Sequence, residues 1–264
     1  METLSWEEFI QCRSLSVGTA SAVTMGVFDG VHRGHAALLG ATAKYAQLQK
    51  NQQSIVFTFR FSPKKHTKSS MHRNLQTIEQ RLYHISRFGI STVVLINFTP
   101  DFARMSGHDF LARLLERLHI SYIALGDDFR MGHQGTCTSN SIMHHLQNVS
   151  PWTTAEIFPT VAYDNIRISS SLLRATVIQG NLAQYALIAG HPYELTKGKD
   201  NWNTDCTELL VPPAGKYIAT ALDANRNIIW ANHEIELDAK GVPNGGSINS
   251  VFTLQLHSKH NQTD

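Results

Sequence analysis

Val23-Thr24-Met25-Gly26-Val27-Phe28-Asp29-Gly30-Val31-His32-Arg33-Gly34-His35 reads as an apolar strand that runs into a glycine-punctuated turn and then into a helix. A strand ending this way collects unpaired backbone N–H groups and the positive end of a helix dipole at one point, which suits an anion. Gly26, Gly30 and Gly34 permit a tight turn and a close approach of ligand to backbone. His32 and His35, three apart across the helix start, can aim two imidazoles at one cluster of oxygens. The ligand implied is a polyphosphate. Two other readings compete: ordinary histidines in a glycine loop, and a zinc pair. No cysteine or acidic ligand at a usual spacing completes a zinc site, so no metal ligand is assigned.

The neighbouring sequence supplies the rest of a β-α-β unit. Ala22 to Gly26 reads as the first strand. The helix from about His35 to Gln49 follows, with Leu38, Leu39, Thr42, Ala43 and Ala46 on one face. Ser54 to Phe59 is the short β-branched and aromatic run of a strand buried on both sides. Thr77 opens a helix with Ile78, Leu82 and Ile85 inward, and Gly89 closes it. Thr92–Ile96 is a buried strand, residues 98–102 form a turn, and Ser106 caps a helix with Phe110, Leu111, Leu114, Leu115 and Leu118 inward. Tyr122–Leu125 is a fourth strand, ending at Gly126. Such alternation predicts an α/β fold, a parallel sheet with helices on both faces. Beyond it come a helix near Ser139 to Gln147, short strands at 154–158 and 163–167, and helices from Ile168 to Gly180 and from Asn181 to Gly190. Residues 197–205 are linker-like, and 215–221, 227–230 and 251–256 read as strands.

Composition narrows the function classes. The 264 residues can bury one large core, or a core plus a small module, and 42% hydrophobic with 17% charged residues is ordinary for a soluble globular protein. No apolar run could span a bilayer, and the acidic start METLSWEEFI lacks a cationic leader, so a cytoplasmic protein without a membrane partner is expected. A net charge of +2 is too mild to argue for nucleic acid. Cys12, Cys137 and Cys206 are odd in number and widely spaced, which indicates neither a disulfide framework nor a zinc site.

Three more segments carry chemistry. Arg60 to Lys68 is basic and turn-like at a strand's carboxyl end, where ligands of open α/β sheets bind, or else a solvated loop. Gly126 to Gly135 can fold over a ligand, with Asp128 as acceptor and Phe129 either against a ring or in the core. Ser169-Ser170-Ser171 at a helix start, with the planar fork of Arg174, suits phosphate or is a capping variant beside a surface arginine. His144 and His145 point about 100° apart on their helix, cannot share a ligand and are treated as surface residues.

His-x-Gly-His resembles the signature of the nucleotidyltransferase superfamily, and GVFDGVHRGH resembles the corresponding motif of the bacterial FAD synthetase family, with Val27 where that family often has asparagine. Gly126-Asp127-Asp128-Phe129-Arg130-Met131-Gly132 is similar to that family's flavin-side motif, with Met131 for the second aromatic. Ile168 to Arg174 is similar to its I-S-S-T-R-I-R string, with Leu172 for the first arginine. Pro63 is displaced from the family's proline loop, and Gly180-Asn181 through Gly190-His191-Pro192-Tyr193 resembles the end of its adenylyltransferase part. The resemblance implies a Rossmann-like nucleotidyltransferase domain at 1–195, followed by a small β-rich module at 196–264. That module lacks the G-F-P-T-A-N segment of the riboflavin kinase part, so it is expected to be kinase-inactive.

The activity implied is transfer of AMP from ATP, with Mg²⁺, to FMN, giving FAD and pyrophosphate. His32, His35 and Arg174 are implied as catalytic. ATP contacts are implied for Gly26, Val27, Phe28, Gly34 and His35, and for Gly126, Ser169, Ser170, Ser171 and Arg174. FMN contacts are implied for Phe57, Phe59, Asp128 and Phe129. A nucleotidyltransferase for another phosphorylated metabolite and a non-catalytic flavin or nucleotide binder are the alternatives. Oligomeric state is not legible.

Overall fold

A computed structural model describes residues 1–11, 19–49, 52–60, 73–197, 202, 209–244 and 250–259. The basic stretch 61–68, Cys12, Cys206 and most of the 197–205 linker lie outside the described residues. Two compact units divide the chain: Met1–Pro63 with Gln80–Ala162, and Lys64–Glu79 with Tyr163–Asp264. The functional boundary read at 195/196 falls inside the second of them.

The first unit contains β1 (Glu2–Ser5), α1 (Trp6–Gln11), β2 (Ala20–Met25), α2 (Arg33–Leu48), β3 (Gln52–Phe59), all but the first two residues of α3 (Ile78–Ser86), and β4 (Thr92–Ile96). It continues through α4 (Pro100–Arg104), α5 (Gly107–Arg117), β5 (His119–Gly126), β6 (Arg130–Met131), β7 (Cys137–Thr138), α6 (Ser139–Val149) and β8 (Thr154–Phe158). Six strands pair in the order β1-β4-β3-β2-β5-β8, all in parallel. From β2 the chain moves outward through α2 and β3 to β4, then returns to the other side of β2 as β5. The carboxyl ends of β2 and β5 therefore flank the switch point where ligands of such sheets bind. Met25 and Gly126 end those two strands, so the fold places the glycine turn and the Gly126 loop beside each other.

The α/β expectation holds, with three corrections. The first strand is β1, not 22–26: Glu2-Thr3-Leu4-Ser5 has no apolar run, and it is recruited as a half-exposed edge against β4. Residues 98–102 are not a plain turn, because Thr99 caps a short helix with Pro100 at its start. Helix α3 turns Gln80, Arg81 and His84 inward with Ile85, where Ile78 and Leu82 were expected. The core beneath the sheet is aromatic: Trp6 stacks on Phe110 at 5.2 Å, and Phe9 meets Phe57 edge-on at 5.1 Å. Caps at Ser106 and Thr138 close the starts of α5 and α6.

A hairpin of β9 (Ala162–Tyr163) and β10 (Ile166–Arg167) turns at Asp164 and Asn165, both at positive φ, as a two-residue hairpin turn needs. The second unit continues with α7 (Ser170–Ile178), α8 (Leu182–Ala189), β11 (Tyr193–Thr196), β12 (Gly215–Leu222), β13 (Ile228–Leu237), β14 (Pro243–Asn244) and β15 (Thr253–Lys259). Its antiparallel sheet runs β11-β15-β12-β13-β14. Asn181 caps α8 and Gly190 ends it at φ 88°. Buried Tyr185, Tyr193 and Tyr217 fill this unit's core, and Glu194 holds Arg226 and the Gln255 amide. Among the described residues no helix is long and apolar enough to cross a membrane.

Candidate functional site

The turn after β2 is held in an unusual backbone conformation. The Gly26 N–H donates to the Phe57 carbonyl at 3.0 Å, so the chain is still pinned to β3 as it leaves the sheet. Phe28, Gly30 and Val31 then take φ of 50°, 85° and 28°. A glycine tolerates this, but a phenylalanine and a β-branched valine do not do so freely. Both side chains are buried, which is what keeps them there.

His32 is the N-cap of α2. Its Nδ1 accepts the His35 N–H at 3.3 Å, doing the work of a serine or aspartate cap. A ring nitrogen that accepts carries no proton, so the neutral His32 tautomer has its proton on Nε2. The His32 and His35 rings stack 3.7 Å apart at 13°, and Phe28 meets His35 edge-on at 5.1 Å. His35 Nδ1 is buried and has no hydrogen-bond partner. Burial holds the His35 imidazole well below the usual histidine pKa, and the neighbouring charges of His32 and Arg81 push it the same way. The stack therefore presents an uncharged His35 at neutral pH, with an unsatisfied nitrogen.

A histidine whose folded pKa lies below its unfolded value of 6.5 contributes most above pH 6.5, and that contribution is lost as pH falls through and below 6.5. Denaturant titrations at pH 7.5 and at pH 5.5 are expected to show a smaller acid loss for His35→Gln than for wild type; equal losses would contradict a buried neutral His35.

The floor of the turn comes from residues that sequence reading passed over. Thr58 Oγ1 donates to the Val27 carbonyl at 2.9 Å. Arg81 donates to the Phe59 carbonyl at 2.7 Å and faces the Asp29 carboxylate at 3.7 Å, both side chains being 1% exposed. The signal was present: Arg81 lies three residues after Ile78 and four before Ile85, in the middle of what looked like the apolar face of α3.

Gly34 is in the first turn of α2, and a Cβ there would sit 3.2 Å from the His32 ring. Gly34→Ala is expected to leave the melting temperature unchanged or raise it, since alanine favours a helix by about 0.5–1 kcal/mol. If the paired imidazoles serve a phosphate, the variant should turn over at least about tenfold more slowly, because the His32 ring must shift. Undiminished turnover would show that the His32 position is not critical.

At the end of β5, a Cβ on Gly126 would come 3.2 Å from the Asp128 carboxylate. Asp127 is turned away, accepting from Thr160 N–H and Oγ1 at 3.0 and 2.7 Å, while Asp128 is exposed. Phe129 is half-buried against the main core. The segment is docked by backbone: a Cβ on Gly132 would meet the Gly107 nitrogen at 2.3 Å, and His133 N–H donates to the Met105 carbonyl. Phe57, expected on the flavin side, is a core residue at 1% exposure, enclosed by Trp6, Phe9 and Phe110. Phe59, at the strand's end, is half-buried and meets Phe98 and Phe102 edge-on at 5.6 and 6.0 Å. Phe98 and Phe102 form an aromatic rim that sequence reading assigned only to a turn.

In the second unit, Ser169 is the N-cap of α7, its hydroxyl accepting from Leu172 N–H at 3.2 Å. Ser170 and Ser171, four and three residues before Arg174, share a helix face with it. Arg174 Nε donates to the Arg73 carbonyl at 2.9 Å. His144 is exposed, while His145 is half-buried beside the His108 ring at 4.8 Å. Among the described residues no cluster of three or more His, Cys, Asp or Glu could hold a metal ion.

Fold and turn together define a Rossmann-like nucleotidyltransferase fold with an imidazole cradle at its switch point. A profile of the FAD synthetase family matches residues 16–172, and the chain belongs to that family. It is 25% identical over 246 residues to the bifunctional riboflavin kinase/FMN adenylyltransferase of Buchnera aphidicola subsp. Schizaphis graminum, across 91% of this chain and 78% of that protein. The Escherichia coli K12 protein of the same description is 28% identical across 66% of this chain but only 55% of its own length. Among solved structures, that of a macrolide-efflux protein from Streptococcus pneumoniae superposes with a TM-score of 0.78 over 100% of this chain and 92% of that one; at 17% identity it speaks for the fold alone.

Proposed function

We propose that the protein is an FMN adenylyltransferase that joins FMN to the AMP part of ATP, and that residues 1–195 carry this activity. An oxygen of the FMN phosphate attacks the α-phosphorus of ATP; the new P–O bond forms as the bond to the β-phosphate oxygen breaks, and pyrophosphate leaves. The nucleophile is already an anion, so neither a general base nor a covalent intermediate is needed. What the protein supplies is alignment and donors to the phosphate oxygens.

The observation that carries this reading is the stacked pair of imidazoles on a helix start, one with a buried nitrogen that has no partner. His32 Nε2–H and His35 are the donors to the phosphates, together with the backbone of Val27, Phe28 and Gly34, while Gly26, its N–H held by the Phe57 carbonyl, allows the close approach. Gly126 lets the nucleotide approach the end of β5. Ser170, Ser171 and Arg174 form the phosphate-binding group of the second unit; the Ser169 hydroxyl is engaged as a cap, so it acts through the helix start. Asp128, Phe129 and Phe59 serve the flavin side, joined by Phe98 and Phe102, whose partly open rings can lie against an isoalloxazine. Mg²⁺ would enter with the triphosphate, held by phosphate oxygens and retained waters rather than by a protein cage, and would neutralise charge on the phosphates. The second unit's β sheet is proposed to lack riboflavin kinase activity.

One incubation tests this. The pure protein is mixed with Mg²⁺, ATP and either FMN or riboflavin, and the flavins are separated. FAD from FMN and no FMN from riboflavin is the expected result. FMN bound without release of pyrophosphate would mark a binding protein, and a product formed only from another phosphorylated acceptor would move the assignment elsewhere in the superfamily.

A further inference from the structure

We propose that Arg81 is a positioning residue: tied to Asp29 and to the Phe59 carbonyl, its guanidinium holds the strained turn that presents His32 and His35 to the nucleotide. The proposal deepens the adenylyltransferase reading and rests on it for its kinetic part.

Non-glycine residues held at positive φ cost about 1–3 kcal/mol each and persist only where the surroundings over-determine them. Phe28 and Val31 both stand there, and Asp29 lies between them. Within the turn, Val31 N–H donates to the Phe28 carbonyl at a long 3.3 Å, and Thr58 Oγ1 reaches the Val27 carbonyl. The Phe28 ring closes over Gly26, where a Cβ would come within 3.3 Å, and supports His35 on its other side. The carboxylate of Asp29 is the turn's buried charge, and Arg81 faces it.

Stability alone does not account for this pair. A buried ion pair is often no better than well-packed apolar residues of the same volume, because desolvation offsets the attraction. What an arginine adds is geometry: a rigid fork reaching two acceptors in fixed directions. Here one acceptor is the carbonyl that ends β3 and the other is the side chain at the centre of the strained turn. The sheet thereby fixes the turn, and the turn fixes the stacked rings. The same cation disfavours a proton on His35.

The test uses Arg81→Met, Arg81→Lys, Asp29→Asn and the double variant Arg81→Met/Asp29→Asn. Each is checked by circular dichroism and thermal melting, then by FAD-forming kinetics. The first single variant buries an uncompensated charge and can fail to fold; the double variant does not, and it decides the outcome. Its kcat is expected to fall at least thirtyfold with KM for FMN within threefold, and it should be no worse than the poorer folded single variant, as for two residues acting as one unit. Arg81→Lys, with the charge but not the fork, should fall between. A folded double variant within threefold of wild-type kcat overturns the proposal. A second readout needs no activity: the imidazole nitrogen resonances of His32 and His35 in the ligand-free protein should move in the double variant. If wild type makes no FAD, the adenylyltransferase reading fails by itself, and these spectra still decide the positioning role; unchanged resonances refute it.

Discussion

His35→Ala is expected to keep the fold and to lose about a hundredfold to a thousandfold of FAD formation, the loss usual when one preorganised donor to a developing charge is removed. The fold should survive because His35 does little for it. Its Nδ1 is buried with no partner, so removing the ring relieves a desolvated polar group even as contacts to Phe28 and His32 are lost. His32 is different, because its Nδ1 caps α2. His32→Ala removes a donor and a cap together and should lower stability by about 1 kcal/mol as well as turnover. His32→Asn keeps a capping oxygen and isolates the chemical effect. Steady-state kinetics with thermal melts on the three variants separate the roles; a His35→Ala protein with wild-type kcat would refute the assignment of the cradle.

How much of this site was legible follows from the range of each signal. The strand, the glycine turn and the helix of the cradle are set by neighbouring residues, so residues 23–35 disclosed them directly. Ser106, Ser169 and Asn181 were readable as caps for the same reason: a cap is a bond to the backbone three residues on. The strand β1 was hidden because an edge strand half in water needs no apolar run, and its partner β4 is remote in sequence. Arg81 and Asp29 were hidden more deeply, since a through-space pair leaves no local mark beyond a charge on the wrong face of a helix. The short helix α4 was ambiguous because Thr-Pro-Asp opens a turn and a helix equally well. In the second unit, residues 193–196 formed an unforeseen strand, because Glu194 breaks their apolar pattern and is buried with Arg226 and the Gln255 amide as partners.

Phe57 and Phe59 show where period alone stops being informative, and their substitution is expected to separate core from site. Two residues apart on β3, they project from the same face of the sheet, so the sequence treats them alike. Depth distinguishes them. Phe57 is closed in by Trp6, Phe9 and Phe110, so Phe57→Ala leaves a cavity in the middle of an aromatic core and should cost about 3–5 kcal/mol. Phe59 stands at the strand's carboxyl end, half-exposed, with Phe98 and Phe102 as its neighbours. Phe59→Ala should cost distinctly less stability, because its site is already open to water on one side. If the rim formed by these three rings receives the isoalloxazine, Phe59→Ala should raise KM for FMN about tenfold, with KM for ATP unmoved, while folded Phe57→Ala protein should show near-normal KM values at low temperature. Denaturant unfolding and two-substrate kinetics measure both quantities. Equal stability losses for the two variants would refute the difference in depth, and a KM for FMN that responds to Phe57 rather than Phe59 would refute the rim as the flavin site.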